Sequence, residues 1–67
     1  MIVNFYTKQY NDGTKVILTT KNLSLVPRKD ERVKYYGNFY VVINTTLDLG
    51  NCEYYVHVRK IPINRML

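Results

Sequence analysis

The chain has almost none of the side chains on which enzyme catalysis commonly depends. Its 67 residues include one cysteine, Cys52, one histidine, His57, and one serine, Ser24. A catalytic Cys–His pair needs hydrogen-bond contact and a third orienting group, yet His57 follows Cys52 by five residues of extended chain, about 16 Å. One histidine and one cysteine also fall short of the four ligands of an ordinary zinc site. We therefore predict no catalytic residues, no cofactor and no metal.

Glycine and long apolar runs are equally scarce. Gly13, Gly37 and Gly50 each stand alone beside turn-forming residues, so no glycine-rich loop exists to cradle a nucleotide, and we expect no small-molecule substrate. The longest apolar run, Phe39 to Ile43, is far below the roughly 18–20 residues that cross a bilayer. The first residues lack a basic leader followed by an apolar run. These absences, with the lone cysteine, predict a soluble, cytoplasmic protein that does not enter a membrane.

Alanine is missing altogether, and strand-forming residues take its place. Valine, isoleucine, threonine, tyrosine and phenylalanine together supply 28 residues, which is the composition of an all-β protein. A chain of this length makes one small domain. We assign residues 1–63 to that domain and expect residues 64–67 to be a frayed C-terminal tail. Ten Lys and Arg against five Asp and Glu give a net charge of +5, which favours anionic partners without identifying one.

Period-two alternation and turn residues predict five strands. They cover about residues 1–9, 15–20, 33–36, 39–46 and 53–61. Asp12-Gly13 and Gly37-Asn38 predict tight hairpins, the second with a type II′ turn centred on Gly37 and Asn38. The third connection, residues 48–51, again clusters turn formers. Short turns thus join most of the strands, with one long connection after the second.

The second strand and the long connection complete the predicted core. Strict alternation places Val16 and Leu18 on the core face and turns Ile17 away from it. Residues 21–32 have no clean period and contain Pro27, which lacks the N–H group that a central strand uses. We expect this irregular segment to pack onto the core through its apolar side chains, Leu23, Leu25 and Val26.

Five strands joined in this way predict a small five-stranded antiparallel meander. Such a sheet leaves exposed edges unless it curls into a barrel, so we favour an SH3-like barrel. The alternative is an open antiparallel sheet covered by the segment of residues 21–32.

Three stretches carry a resemblance to a known group of proteins. They are Val26-Pro27-Arg28-Lys29-Asp30-Glu31-Arg32-Val33, Tyr36-Gly37-Asn38-Phe39-Tyr40-Val41-Val42 and Tyr55-Val56-His57-Val58. Together they resemble small uncharacterised SH3-like proteins encoded by phages and mobile elements of low-GC bacteria. In those proteins a glycine often precedes the acidic residue of the first stretch, where this chain has Asp30. The resemblance implies a bacterial cytoplasm as the location and transfers no binding or catalytic residue.

The apolar run from Phe39 to Ile43 loses the alternation seen elsewhere. A strand that is apolar on both faces is normally covered on both faces, and a 67-residue chain has little left to cover the second one. This observation favours a non-enzymatic protein that acts through protein–protein interaction. Its partner would be a second copy of the chain, or a host or phage protein that it binds or inhibits.

Tyrosines and cations share faces of several predicted strands, which offers a different function. Tyrosine rings stack on unpaired bases and cations neutralise phosphates, so the alternative is binding of single-stranded or duplex nucleic acid. The same residue types are enriched at protein interfaces. The candidate partner-binding residues for either function are Arg28, Lys29, Lys34, Tyr36, Tyr40, Val42, Tyr55, His57 and Arg59.

Overall fold

The predicted all-β fold is confirmed by a computed structural model, which describes residues 2–9, 13–21 and 25–62. Within these residues the chain forms five strands. They are β1 (Ile2–Gln9), β2 (Gly13–Thr20), β3 (Arg32–Tyr35), β4 (Asn38–Asp48) and β5 (Glu53–Ile61). Their bounds lie within two residues of the predicted ones, because alternation and turn residues are local signals that the fold preserves.

All five strands belong to one sheet, in the order β2-β1-β5-β4-β3. The hairpins β1–β2, β3–β4 and β4–β5 are antiparallel, but β1 and β5 run parallel, with Val3 opposite Tyr54 and Phe5 opposite Val56. The prediction of a purely antiparallel meander is therefore wrong, and the sheet is mixed. The long connection between β2 and β3 makes this possible, because it carries the chain to the far edge before β4 and β5 return beside β1.

The sheet curls into a half-barrel whose concave side holds the core. Its buried side chains are Val3, Phe5, Tyr40, Val42, Val56 and Val58. The edge strands β2 and β3 add half-buried apolar side chains from opposite sides, and an open cavity of about 20 Å³ lies between them. Its lining residues are Phe5, Ile17, Leu18, Val33, Tyr35, Tyr40 and Val58. Burial of this apolar surface drives the curl, although β2 and β3 do not pair with each other.

A β-bulge in β2 reverses the predicted faces of two residues. Phe5 pairs with Leu18, but the next residue, Tyr6, pairs with Val16, so Ile17 is the extra residue. Val16 consequently lies on the outer face and is 57% exposed, whereas Ile17 packs against the core. The predicted core position of Val16 and the outward position of Ile17 are both wrong, because one inserted residue shifts the alternation by one.

The connection between β2 and β3 contacts the core at one of the predicted positions. Val26 packs against the core, Leu25 is 81% exposed, and Leu23 lies outside the described residues. The connection is fixed to β4 by hydrogen bonds: the Thr45 hydroxyl donates to the Pro27 carbonyl at 3.0 Å, and the Asp30 N–H donates to the Val42 carbonyl at 2.8 Å. This segment therefore lies alongside β4 beyond the end of β3, instead of covering the sheet with all three apolar side chains.

The β3–β4 hairpin turns one residue earlier than predicted. Tyr35 pairs with Asn38, so the central residues are Tyr36 and Gly37, with φ values of 48° and 77°. Positive φ at both positions defines a type I′ turn. The predicted type II′ turn centred on Gly37 and Asn38 is wrong. Gly37 occupies the second central position, and the non-glycine residue Tyr36 accepts a left-handed backbone.

Candidate nucleic-acid interface

The outer face of the sheet gathers aromatic and basic side chains from four strands. Alternation sends one set of residues to the concave core and the other set outward, and the register aligns the outward sets of neighbouring strands. The outward residues that matter here are Tyr6 and Lys8 of β1, Arg32 and Lys34 of β3, Phe39 and Val41 of β4, and Tyr55, His57 and Arg59 of β5.

Tyr6 and His57 form an aromatic stack at the centre of this face. They are register partners on the parallel strands β1 and β5, and their ring centroids lie 5.2 Å apart with planes inclined by 11°. Both side chains are half-buried. A shallow groove borders the stack, lined by Asn4, Tyr6, Lys8, Val16, Thr46 and Tyr55. The Tyr6–His57 stack therefore offers π surface beside a groove in which a planar ligand can lie.

The electrostatic environment of His57 favours its neutral form. Partial burial lowers the pKa of the imidazole below its usual 6.5, and the positive charge of Lys8 lowers it further. Neutral imidazole stacks as an ordinary aromatic ring, and protonation converts the same position into a cation. The ring thus stacks as a neutral group at pH 7, with Lys8 supplying positive charge beside it.

The first part of β4 is apolar on its outer side and is bounded by cations. Lys34 places its ammonium 5.5 Å from the centroid of the Phe39 ring, a cation–π distance. Val41 lies between Arg32 of β3 and Arg59 of β5 in the register of the sheet. Phe39 and Val41 are half-buried there, since long basic side chains can cover apolar surface with their stems while their charges reach water.

Three carboxylates of the described chain are held by partners in local turns or strands. Glu53 accepts a hydrogen bond from the Tyr55 hydroxyl at 2.8 Å, which raises the pKa of that phenol. Glu31 accepts from the Arg28 N–H at 2.6 Å. Asp48 accepts from the backbone N–H of Gly50 at 3.0 Å. Each of these three carboxylates thus accepts its hydrogen bond from a residue two or three positions away in the sequence.

The predicted binding residues divide between four places. Lys34, Tyr55, His57 and Arg59 lie together on the outer face, as the aromatic–basic hypothesis requires. Tyr40 and Val42 lie on the opposite, concave face, with exposures of 9% and 0%, and do not join them. Tyr36 is 86% exposed at the tip of the β3–β4 turn. Arg28 and Lys29 lie in the turn before β3, next to Asn44 and Thr45.

Sequence reasoning missed three members of the outer face: Tyr6, Lys8 and Arg32. The alternation of the first strand already set Tyr6 opposite to Val3 and Phe5. The sequence does not reveal that β1 pairs in parallel with β5. This pairing brings Tyr6 to His57, although the two residues lie near opposite ends of the chain.

Comparisons with protein-family models, with curated proteins and with solved structures find no match. Over the ranges that the structure describes, no group of three His, Cys, Asp or Glu side chains is placed to hold a metal ion. No helix in those same ranges has the length and apolar character to cross a bilayer.

Proposed function

We propose that this chain is a non-enzymatic binding protein whose outer sheet face binds single-stranded nucleic acid. The observation that carries the proposal is the Tyr6–His57 stack flanked by cations of β1 and β5, Lys8 and Arg59. Single-strand binders combine a positively charged surface that follows the backbone with aromatic rings on which bases stack, each worth about 1–3 kcal/mol. Both components occur here on one surface.

A single strand fits this face better than a duplex. Stacking on the Tyr6 or His57 ring requires a base with a free π face, and the bases of a duplex already cover one another. The outer face is also the convex side of a half-barrel, and no element in the described ranges projects from it as a reading helix would. Sequence preference is expected to be weak, because stacking accepts every base.

The protein–protein interaction predicted from Phe39–Ile43 stays a prediction, and so do the SH3-like and phage relationship and the cytoplasmic location. The second face of that segment is bounded by Arg32, Lys34 and Arg59. A surface of this composition favours an anionic ligand, which is why we rank nucleic acid above a second copy of the chain.

Fluorescence anisotropy with labelled single-stranded and double-stranded oligonucleotides tests the proposal. We expect the single strand to bind more tightly, with affinity that falls steeply between about 50 and 200 mM salt as counterions are released. Tyr6→Leu should weaken binding about tenfold, through the loss of one stacked base. No binding by the unaltered protein at low salt would remove the proposal.

Tyr36→Leu is the matched control for Tyr6→Leu. It makes the same substitution at a tyrosine in the β3–β4 turn, which lies beyond the Phe39–Ile61 pair. Four residues of β5, about 13 Å, separate that pair from His57. Equal losses from the two variants would contradict the assigned position of the site. The solution mass of the unaltered protein, measured alongside, tests self-association.

A further inference from the structure

The neighbouring interior strands β1 and β5 separate at one end. β1 and β5 pair in register only as far as Tyr6 and His57, although β1 continues to Gln9 and β5 to Ile61. Beyond this point β1 pairs only with β2, and β5 only with β4. The resulting opening, which we call the β1–β5 notch, is lined by Thr7, Lys8, Ile43, His57, Val58, Arg59 and Lys60.

Basic side chains reach the notch from both faces of the sheet. Lys8 and Arg59 lie on the outer face of the sheet. Lys60 lies on the concave face, because it is the register partner of the core residue Tyr40. Among the residues that the structure describes, no carboxylate lines the notch. Three neighbouring cations repel one another and attract an anion placed between them, so the charge of this opening is complementary to an oxyanion.

Neutral donors in the notch suit the same ligand. Thr7 contributes a hydroxyl group to the lining. Over Val58, Arg59 and Lys60, the edge of β5 that faces β1 has no ladder partner among the described strands, and the N–H groups that alternate onto this edge face the notch. Oxygen anions bind strongly where cationic side chains and backbone N–H groups converge.

We propose that the β1–β5 notch binds a phosphate group through Lys8, Arg59 and Lys60. The identification of this phosphate as a backbone phosphate of a bound single strand rests on the proposed function. Lys8 and Arg59 each lie two residues beyond a member of the Tyr6–His57 stack, about 7 Å along their strands. A nucleotide whose base lies on the stack can therefore direct its phosphate into the notch.

Inorganic phosphate tests the site without nucleic acid. In NMR titrations against sodium chloride at matched ionic strength, phosphate should give saturable shifts of the amides of Thr7, Lys8 and residues 58–60. The double variant Lys8→Gln/Lys60→Gln should lose these shifts. Lys29→Gln/Lys21→Gln removes the same charge and should keep them, because Lys29, although a candidate from the sequence, lies in the turn before β3 and neither lysine lines the notch or the groove beside the stack. Shifts spread evenly over all basic segments, or retained in the first variant, would overturn the inference.

An oligonucleotide separates the notch from the proposed function. We expect Lys8→Gln/Lys60→Gln to weaken single-strand binding at least tenfold and to lower the salt slope by about 0.7, because one phosphate of the strand is no longer neutralised. Equal binding by this variant and its control would overturn the notch while the proposed function stands. Saturable phosphate binding by a protein that binds no oligonucleotide would overturn the proposed function and assign the notch to the phosphate of a small molecule.

Discussion

The β-bulge at Ile17 makes a prediction opposite to that of simple alternation. Ile17 is half-buried against the core and lines the apolar cavity beside Phe5, whereas Val16 is 57% exposed on the outer face. Truncating a fully buried isoleucine to alanine costs about 2–5 kcal/mol, and the partial exposure of Ile17 places its loss near the lower end, about 2 kcal/mol. Val16→Ala should cost about 0.5 kcal/mol or less, as surface substitutions do.

Thermal unfolding followed by circular dichroism resolves this difference. For a domain of this size 1 kcal/mol shifts Tm by about 4–8 °C, so Ile17→Ala should lower Tm by roughly 10 °C and Val16→Ala by about 4 °C at most. Urea titration gives the same comparison as a free energy of unfolding. An equal or larger loss for Val16→Ala would refute the bulge and restore the unbroken alternation of β2.

Two turns and one titrating side chain offer further tests. Asp30 has a φ of 72°, so Asp30→Ala should cost about 1 kcal/mol of stability and Asp30→Gly almost nothing, in urea titrations of both variants. Asp48→Ala should cost about 1 kcal/mol in the same assay, because its carboxylate binds two backbone N–H groups of the β4–β5 turn. Lys8→Gln should raise the pKa of His57 toward 6.5, measured by NMR titration of the imidazole, and an unchanged pKa would contradict their proximity. Since the pKa of His57 in the folded state lies below 6.5, protonation favours the unfolded chain, and the stability of the unaltered protein should fall as the pH drops through 6.5.

The strands and the hairpins between consecutive strands could be predicted from the sequence, and the parallel pairing of β1 with β5 could not. Alternation identified β5 with its bounds at Glu53 and Ile61, and the hairpin between β3 and β4 was found within one residue. Bulges at Ile17 and near Ile43 escaped prediction, because an inserted residue leaves the composition of a strand unchanged while it alters the side-chain faces. The register of β2 therefore needed the structure.

The residues of the candidate site could likewise be predicted only in part from the sequence. The aromatic–basic alternation of Tyr55, His57 and Arg59 marked one strand of the outer face from sequence alone. Tyr40 is also a tyrosine, but its side chain faces the core. The pairing of Tyr40 with Val33 and Lys60 determines this orientation, and the residue type does not. Lys8 belongs to the site only because its strand, β1, pairs in parallel with β5. Local patterns thus identify the side chains that can bind, and long-range pairing decides which of them meet.

The junction of β1 with β5 also determines how this chain can fold. It joins residues fifty apart in sequence, as in the hydrogen bond from the Asn4 side-chain amide to the Tyr54 carbonyl at 3.3 Å, and it brings Val3 and Phe5 to Val56. None of the three hairpins holds the whole core until this junction closes, so we expect folding to be all-or-none and slow for so small a domain, because a long loop must close before the core is complete. A ligand bound across the same junction would hold the two halves together and slow their separation.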